Sequence, residues 1–168
     1  MEKTLTEDIV RNSGFLCLGS RFRRIGERLQ ADTQAIIEEY GVTIQAGQYP
    51  FLAAIDRSGP LTIGELAEAV GISQPGVTRT LGQLTEAGLV EARASEDDQR
   101  RKLVSLTDKG RALVEQSKRD IWPRIEAAVR DLCGELSAPL LEQLATIEDG
   151  LAATPLARRI KQDQEKTP

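Results

Sequence analysis

Apolar residues at Phe15, Leu18, Phe22, Ile25, Leu29, Ile36, Ile37 and Tyr40 recur mostly at spacings of three and four, which predicts one long amphipathic helix that Gly41 can end. The polar side of this helix is basic, with Arg11, Arg21, Arg23, Arg24 and Arg28 against Glu27 alone, a face suited to solvent and able to approach phosphates. Pro50 fits the first turn of a second helix, running through Phe51, Leu52 and Ile55 to the stop signal Ser58-Gly59-Pro60. Thr62 followed by Glu65 is a capping box that opens a helix through Leu66, Ala67 and Val70, and Gly71 ends it. After a turn containing Ile72, Ser73 suits an N-cap and Pro75 a first turn, while Val77, Leu81 and Leu84 face inward before Gly88. Two short helices joined by a turn holding a glycine and an apolar residue are the signature of a helix-turn-helix. Leu89 to Arg93 and Lys102 to Leu106 then predict two strands joined by the polar stretch Ala94 to Arg101, a hairpin wing.

From Thr107 onward the pattern is helical again. Leu113, Ile121, Trp122, Ile125, Val129 and Leu132 give a stripe that crosses Pro123, where a kink or break is expected, and Leu136, Leu140, Leu141, Leu144, Ile147 and Leu151 give a final one. The expected fold is mainly α with a small β-hairpin wing: a winged helix-turn-helix over residues 44–110, a helical dimerisation region from 11–43 plus 111–153, and a polar tail over 154–168. A compact winged helix cannot bury the apolar stripes of both terminal regions, so mutual burial in a homodimer is their simplest outlet.

Composition narrows the chemistry. The chain of 168 residues is 40% hydrophobic, enough for a core, and its longest apolar run, Phe51 to Ile55, is far short of the about 20 residues of a membrane span. Glu2, Glu7 and Asp8 stand where a secretory signal carries positive charge, so a cytoplasmic protein without a membrane partner is expected. Cys17 and Cys133 have neither metal nor redox spacing. With no histidine the commonest general base and the commonest zinc ligand are both missing, so neither Ser-His-Asp catalysis nor a histidine metal site is available, and no cofactor is expected. No GxxxxGK[ST] or GxGxxG cradle occurs, and the acidic pairs Glu38-Glu39 and Asp97-Asp98 read as solvated surface rather than as catalytic acids. The net charge of -4 exerts no global pull on nucleic acid, so DNA binding would need a local basic surface.

Residues 47–110 supply such a surface, and they closely resemble the MarR family of transcriptional regulators (multiple antibiotic resistance regulators). The resemblance rests on "IGELAEAVGIS", "SQPGVTRTLGQL", "EAGLV", the wing pair Asp98-x-Arg100 and "LVSLTDKG", in order and spacing. It implies a DNA-binding regulator, a homodimeric repressor released from a pseudo-palindromic operator by a small aromatic or phenolic effector. Where the family usually has an arginine directly after "GLVE", this chain has Ala92, and Arg93 follows. The residue chemistry points the same way. Opposite Val77, Leu81 and Leu84, the second helix presents Pro75, Thr78, Arg79 and Gly82, with Ser73 and Gln74 at its start. Glutamine can pair with an adenine edge, threonine offers a methyl to thymine and a hydroxyl to phosphate, and arginine binds guanine or phosphate. Arg100, Arg101 and Lys102 bunch positive charge on the hairpin, where arginine favours a narrow minor groove. The resemblance implies that Asp98 pairs with an arginine and fixes the tip.

Candidate lining residues for the implied effector are Phe22, Gln48, Tyr49 and Trp122, whose aromatic members also fit an ordinary core. Cys17 lies loosely where the peroxide-sensing branch of the family keeps a reactive cysteine, with Arg21 near enough to favour a thiolate and with apolar Leu16 and Leu18 arguing for an inert thiol. Two rivals remain from other classes: a winged-helix interaction module that no longer binds DNA, and a thiol peroxidase or reductase using Cys17.

Overall fold

The computed structural model describes residues 7–94, 101–134, 136, 139–156 and 158–159. The chain forms two compact units that part between Ile125 and Glu126. In the first, the short helix α1 (Ile9–Asn12) is capped by Asp8, whose carboxylate accepts the Arg11 N–H at 3.0 Å. The single long helix expected from Phe15 onward does not form: Gly14, at φ +55°, starts a tight 3-10 turn over Gly14–Cys17, and regular helix begins with α2 (Leu18–Glu39). Phe15 and Leu16 therefore lie outside the α2 stripe and are 92% and 89% exposed. Gly41, at φ +68°, follows the end of α2, as its position in the sequence suggests.

The winged helix follows. Helix α3 (Tyr49–Ser58) has Pro50 in its first turn and buries Tyr49, Phe51, Leu52 and Ile55. Helix α4 (Ile63–Val70) opens on the expected capping box, in which Thr62 Oγ1 accepts the Glu65 N–H at 3.2 Å and Glu65 Oε2 accepts the Thr62 N–H at 2.7 Å. The left-handed Gly71 closes it, and Ser73 begins α5 (Gln74–Glu86), whose Val77, Leu81 and Leu84 are buried. The wing consists of antiparallel β1 (Val90–Ala94) and β2 (Lys102–Leu106), in register Val90 with Leu106 and Ala94 with Lys102. Strand β1 starts one residue later than expected because the Leu89 N–H is committed to closing α5, donating to the Leu84 carbonyl at 2.9 Å. Leu61 exchanges backbone hydrogen bonds with Val104 at 3.0 and 2.8 Å, tying the wing to the segment ahead of α4.

Helix α6 (Asp108–Gln116) is set against the base of the wing by the TDKG segment. Thr107 Oγ1 donates to the Gly88 carbonyl at 2.7 Å and accepts the Gly110 N–H at 3.0 Å, while Lys109 Nζ donates to the Ala87 carbonyl at 2.8 Å. A Cβ on Gly110 would overlap the Leu89 carbonyl oxygen, so only glycine permits this approach. The kink or break expected at Pro123 takes the form of a π turn over Ser117–Ile121 just ahead of it, which separates α6 from α7 (Trp122–Cys133), with the Trp122 N–H donating to the Ser117 carbonyl. Pro123 then falls in the first turn of α7, where a missing N–H costs little. The core of this unit gathers Ile37, Leu52, Leu66, Val77, Leu84, Val114 and Ile121, all fully buried.

The second unit contains the end of α7 and helix α8 (Leu140–Ala153), which starts after Pro139, so that Leu136 falls outside it. Neither helix contains a buried residue; Leu132 is 70% and Leu141 79% exposed. No helix among the described residues is long and apolar enough to cross a membrane.

Candidate nucleic-acid interface

Helix α5 presents its first two turns outward. Ser73 takes extended backbone (φ -67°, ψ 149°) at the N-cap, yet its side chain makes no cap hydrogen bond, unlike Thr62 and Thr107 at theirs. Gln74, Pro75, Thr78 and Arg79 are exposed, and Gly82 continues the same face. The Thr78 hydroxyl donates to the Gln74 carbonyl at 3.0 Å, which holds its rotamer on the helix. Arg79 has no ion-pair partner among the described residues. The amide groups of the first turn add the positive end of the helix dipole to this surface. Glu86, exposed at the far end of α5, confines the favourable charge to the N-terminal half.

On the wing, Arg93 at the end of β1 pairs with Glu91 at 2.9 Å, and Lys102 is exposed opposite Ala94. Arg101 lies at the start of the returning strand, with its guanidinium 3.3 Å from Glu65 Oε1. One member of the expected basic cluster is thus held by α4. Glu65 is well suited to hold it, because hydrogen bonds from the Thr62 backbone and hydroxyl keep its carboxyl below the usual carboxylate range. In the sequence Glu65 is recognisable only as a helix cap, since its link to Arg101 spans 36 positions. Asp98 and Arg100 lie outside the described residues.

Of the four effector candidates, Tyr49 and Trp122 are in contact with each other. Phe22 sits on the open side of α2, 38% exposed. Tyr49 and Trp122 pack edge to face, centroids 6.0 Å apart at 79°, and the Ser117 hydroxyl donates to the Tyr49 hydroxyl at 3.3 Å. Burial raises the pKa of the Tyr49 phenol. Gln48 is buried and hydrogen-bonded to Gln83 of α5. A cleft of about 310 Å3 opens elsewhere, bounded by Tyr40, Thr43, Leu89, Lys109 and Gln116 among others, and it includes none of the four. Cys17 is a free, half-buried thiol at the end of the 3-10 turn, and Cys133 is also free. No cluster of potential metal ligands occurs among the described residues.

Comparison with known proteins places this geometry. A MarR family sequence profile matches residues 40–101. The HTH-type transcriptional regulator FarR of Neisseria gonorrhoeae is 32% identical over 128 residues, covering 74% of this chain and 86% of FarR. The transcriptional repressor CouR, solved bound to a 23-mer DNA duplex, superposes with a TM-score of 0.67 at 30% identity, over 78% of this chain and 92% of CouR. Bordetella bronchiseptica BpsR, whose DNA binding is regulated by 6-hydroxynicotinic acid, gives a TM-score of 0.59 at 26% identity, over 78% and 88% of the two chains. The helix-turn-helix with its wing and this shared sequence lead to one assignment: the chain belongs to the MarR family and is a winged-helix, DNA-binding transcriptional regulator rather than an enzyme.

Proposed function

We propose that this regulator reads a pseudo-palindromic operator as a homodimer, with α5 of each subunit in a major groove. Residues 44–110 form the DNA-binding part, 11–43 with 111–153 the dimerisation region, and 154–168 a polar tail. The observation that carries the reading is the exposed Arg79, without an ion-pair partner among the described residues, beside Gln74 and Thr78 and on the opposite side of α5 from the buried Val77 and Leu84. Ser73 and Pro75 bring the backbone of the first turn to phosphate. Arg93, Arg100 and Lys102 supply wing contacts, with Arg101 and Asp98 holding the wing in place. In a two-fold dimer with recognition helices about 10 base pairs apart, the wings meet DNA outside the core of the site.

The repressor CouR and the ligand-regulated BpsR support a cytoplasmic repressor released by a small aromatic effector. Phe22 on α2 and the half-buried Trp122 are the aromatic rings such a ligand could reach, with Gln48 and Tyr49 as buried candidates. Selecting bound fragments from genomic DNA tests the reading. One two-fold symmetric site should emerge, with log affinity falling linearly with log salt. Recovery of no sequence, with a flat salt response, would favour an interaction module that keeps the winged fold without DNA binding.

A further inference from the structure

The loop of residues 41–48 joins α2 to α3 and is held by glutamine side chains at both ends. From α2, Gln34 accepts the Ala46 N–H through Oε1 at 2.7 Å and donates through Nε2 to the Ile44 carbonyl at 3.4 Å and to Glu38 at 3.0 Å. Within the loop, Gln48 accepts the Gln45 N–H at 2.9 Å and donates through Nε2 to Gln83 Oε1 at 3.0 Å. Gln83 lies on α5 one turn beyond Arg79, so the two share one side of the helix. Gln48 is only 8% exposed, and a buried amide left without partners would be costly, which keeps the connection made. Apolar packing at Val77 and Leu84 sets how α5 sits on the core, and the directional hydrogen bond at the edge of its exposed face adds to that packing in fixing its rotation.

We propose that Gln48 is a positioning residue for DNA recognition: with Gln34 and Gln83 it ties the rotation of α5 to α2 through the intervening loop. The proposal rests on α5 being the DNA-reading helix. If α2 also packs in the homodimer, the same tie sets the angle between the two reading faces, which must match the spacing of the half-sites.

The test uses the full chain and its selected operator duplex. Gln83→Leu should weaken binding by roughly fivefold, the worth of about one net hydrogen bond. Gln83→Glu keeps an acceptor for Gln48 Nε2 but adds a negative charge on the Arg79 side of α5, so its loss should be confined to low salt and shrink to within about twofold of wild type at high salt. Gln48→Leu should match Gln83→Leu, and the double variant should lose no more than the weaker single one. Gln83→Glu remaining the weakest binder at high salt would mean that Gln83 itself touches DNA; additive losses, or none, would mean that the pair does not act through its mutual bond. Any of these results overturns the proposal. Gln83→Leu leaves the buried Gln48 amide without this partner and should lower the melting temperature by a few degrees, whereas Gln83→Glu, which keeps the acceptor, should not. Hydrogen exchange at the Gln45 amide gives a readout without DNA: it should quicken in Gln83→Leu, because Gln48 freed from α5 no longer holds its Oε1 in place for that amide, and no change would show that the tie is absent, whatever becomes of the DNA-reading assignment.

Discussion

Helices α5 and α8 are close in length, 13 and 14 residues, and both carry an apolar stripe, but only α5 has its stripe covered. Val77 and Leu84 are fully buried, whereas Leu141 of α8 is 79% exposed and Leu151 46% exposed. Burying one leucine side chain stabilises by about 1.5–3 kcal/mol, so several open positions forfeit a sizeable fraction of a domain's net stability. The winged helix is completed by its own chain; the C-terminal unit needs something to cover it. In the homodimer proposed above, a second copy does so, which makes DNA reading and assembly separable by mutation.

The largest expected effect falls on the completed region. Gly110→Ala places a methyl on the Leu89 carbonyl, where α6 meets the base of the wing, and should cost about 3 kcal/mol in urea unfolding, with DNA binding lost alongside. A stable Gly110→Ala protein would show that this junction is looser than it looks. Next comes the open region. Leu141→Glu should raise the dimer dissociation constant at least tenfold, about 1.4 kcal/mol, in sedimentation equilibrium. Because Leu141 is exposed within one chain, the same change should alter monomer stability by no more than about 0.5 kcal/mol. Equal loss in both measurements would mean that α8 is covered from within its own chain.

The smallest effect concerns Glu65, which sits where α4 meets the wing. Its pKa is lowered in the folded chain, first by the Thr62 backbone hydrogen bond, then by the Thr62 side chain, with the charge of Arg101 adding less. A carboxyl of this kind stabilises the fold above its unfolded pKa, and that stabilisation disappears as pH falls through the lowered folded value. The wild-type melting temperature should therefore drop across that acidic window, and Glu65→Gln should lack this component. Parallel pH profiles for the two proteins would remove Glu65 as a titrating brace.

What was legible in the chain was whatever depends on neighbours in sequence. The Thr62–Glu65 box, the stops at Gly41 and Gly71, the i, i+4, i+7 seam of α5 and the outward face carrying Arg79 all follow from local rules of capping and periodicity. Three features escaped for the opposite reason. The Leu61–Val104 pairing involves single residues with no alternation to read, and the Arg101–Glu65 and Gln48–Gln83 contacts join positions brought together only by the tertiary fold. At Gly14 and Pro123 the residue signals were present, but their outcome depended on context. Gly14 starts a tight turn that cuts the stripe short, while Pro123 is tolerated because a π turn precedes it.

In the proposed reading, α5 meets DNA through a face distinct from the apolar surfaces left to assembly. Fluorescence anisotropy with the selected operator, using Arg79→Ala beside wild type at fixed salt, tests it most directly. Arg79→Ala should bind about 1 to 3 kcal/mol more weakly while sedimenting as the same dimer. Wild-type affinity from Arg79→Ala would contradict the assignment of α5 as the reading helix.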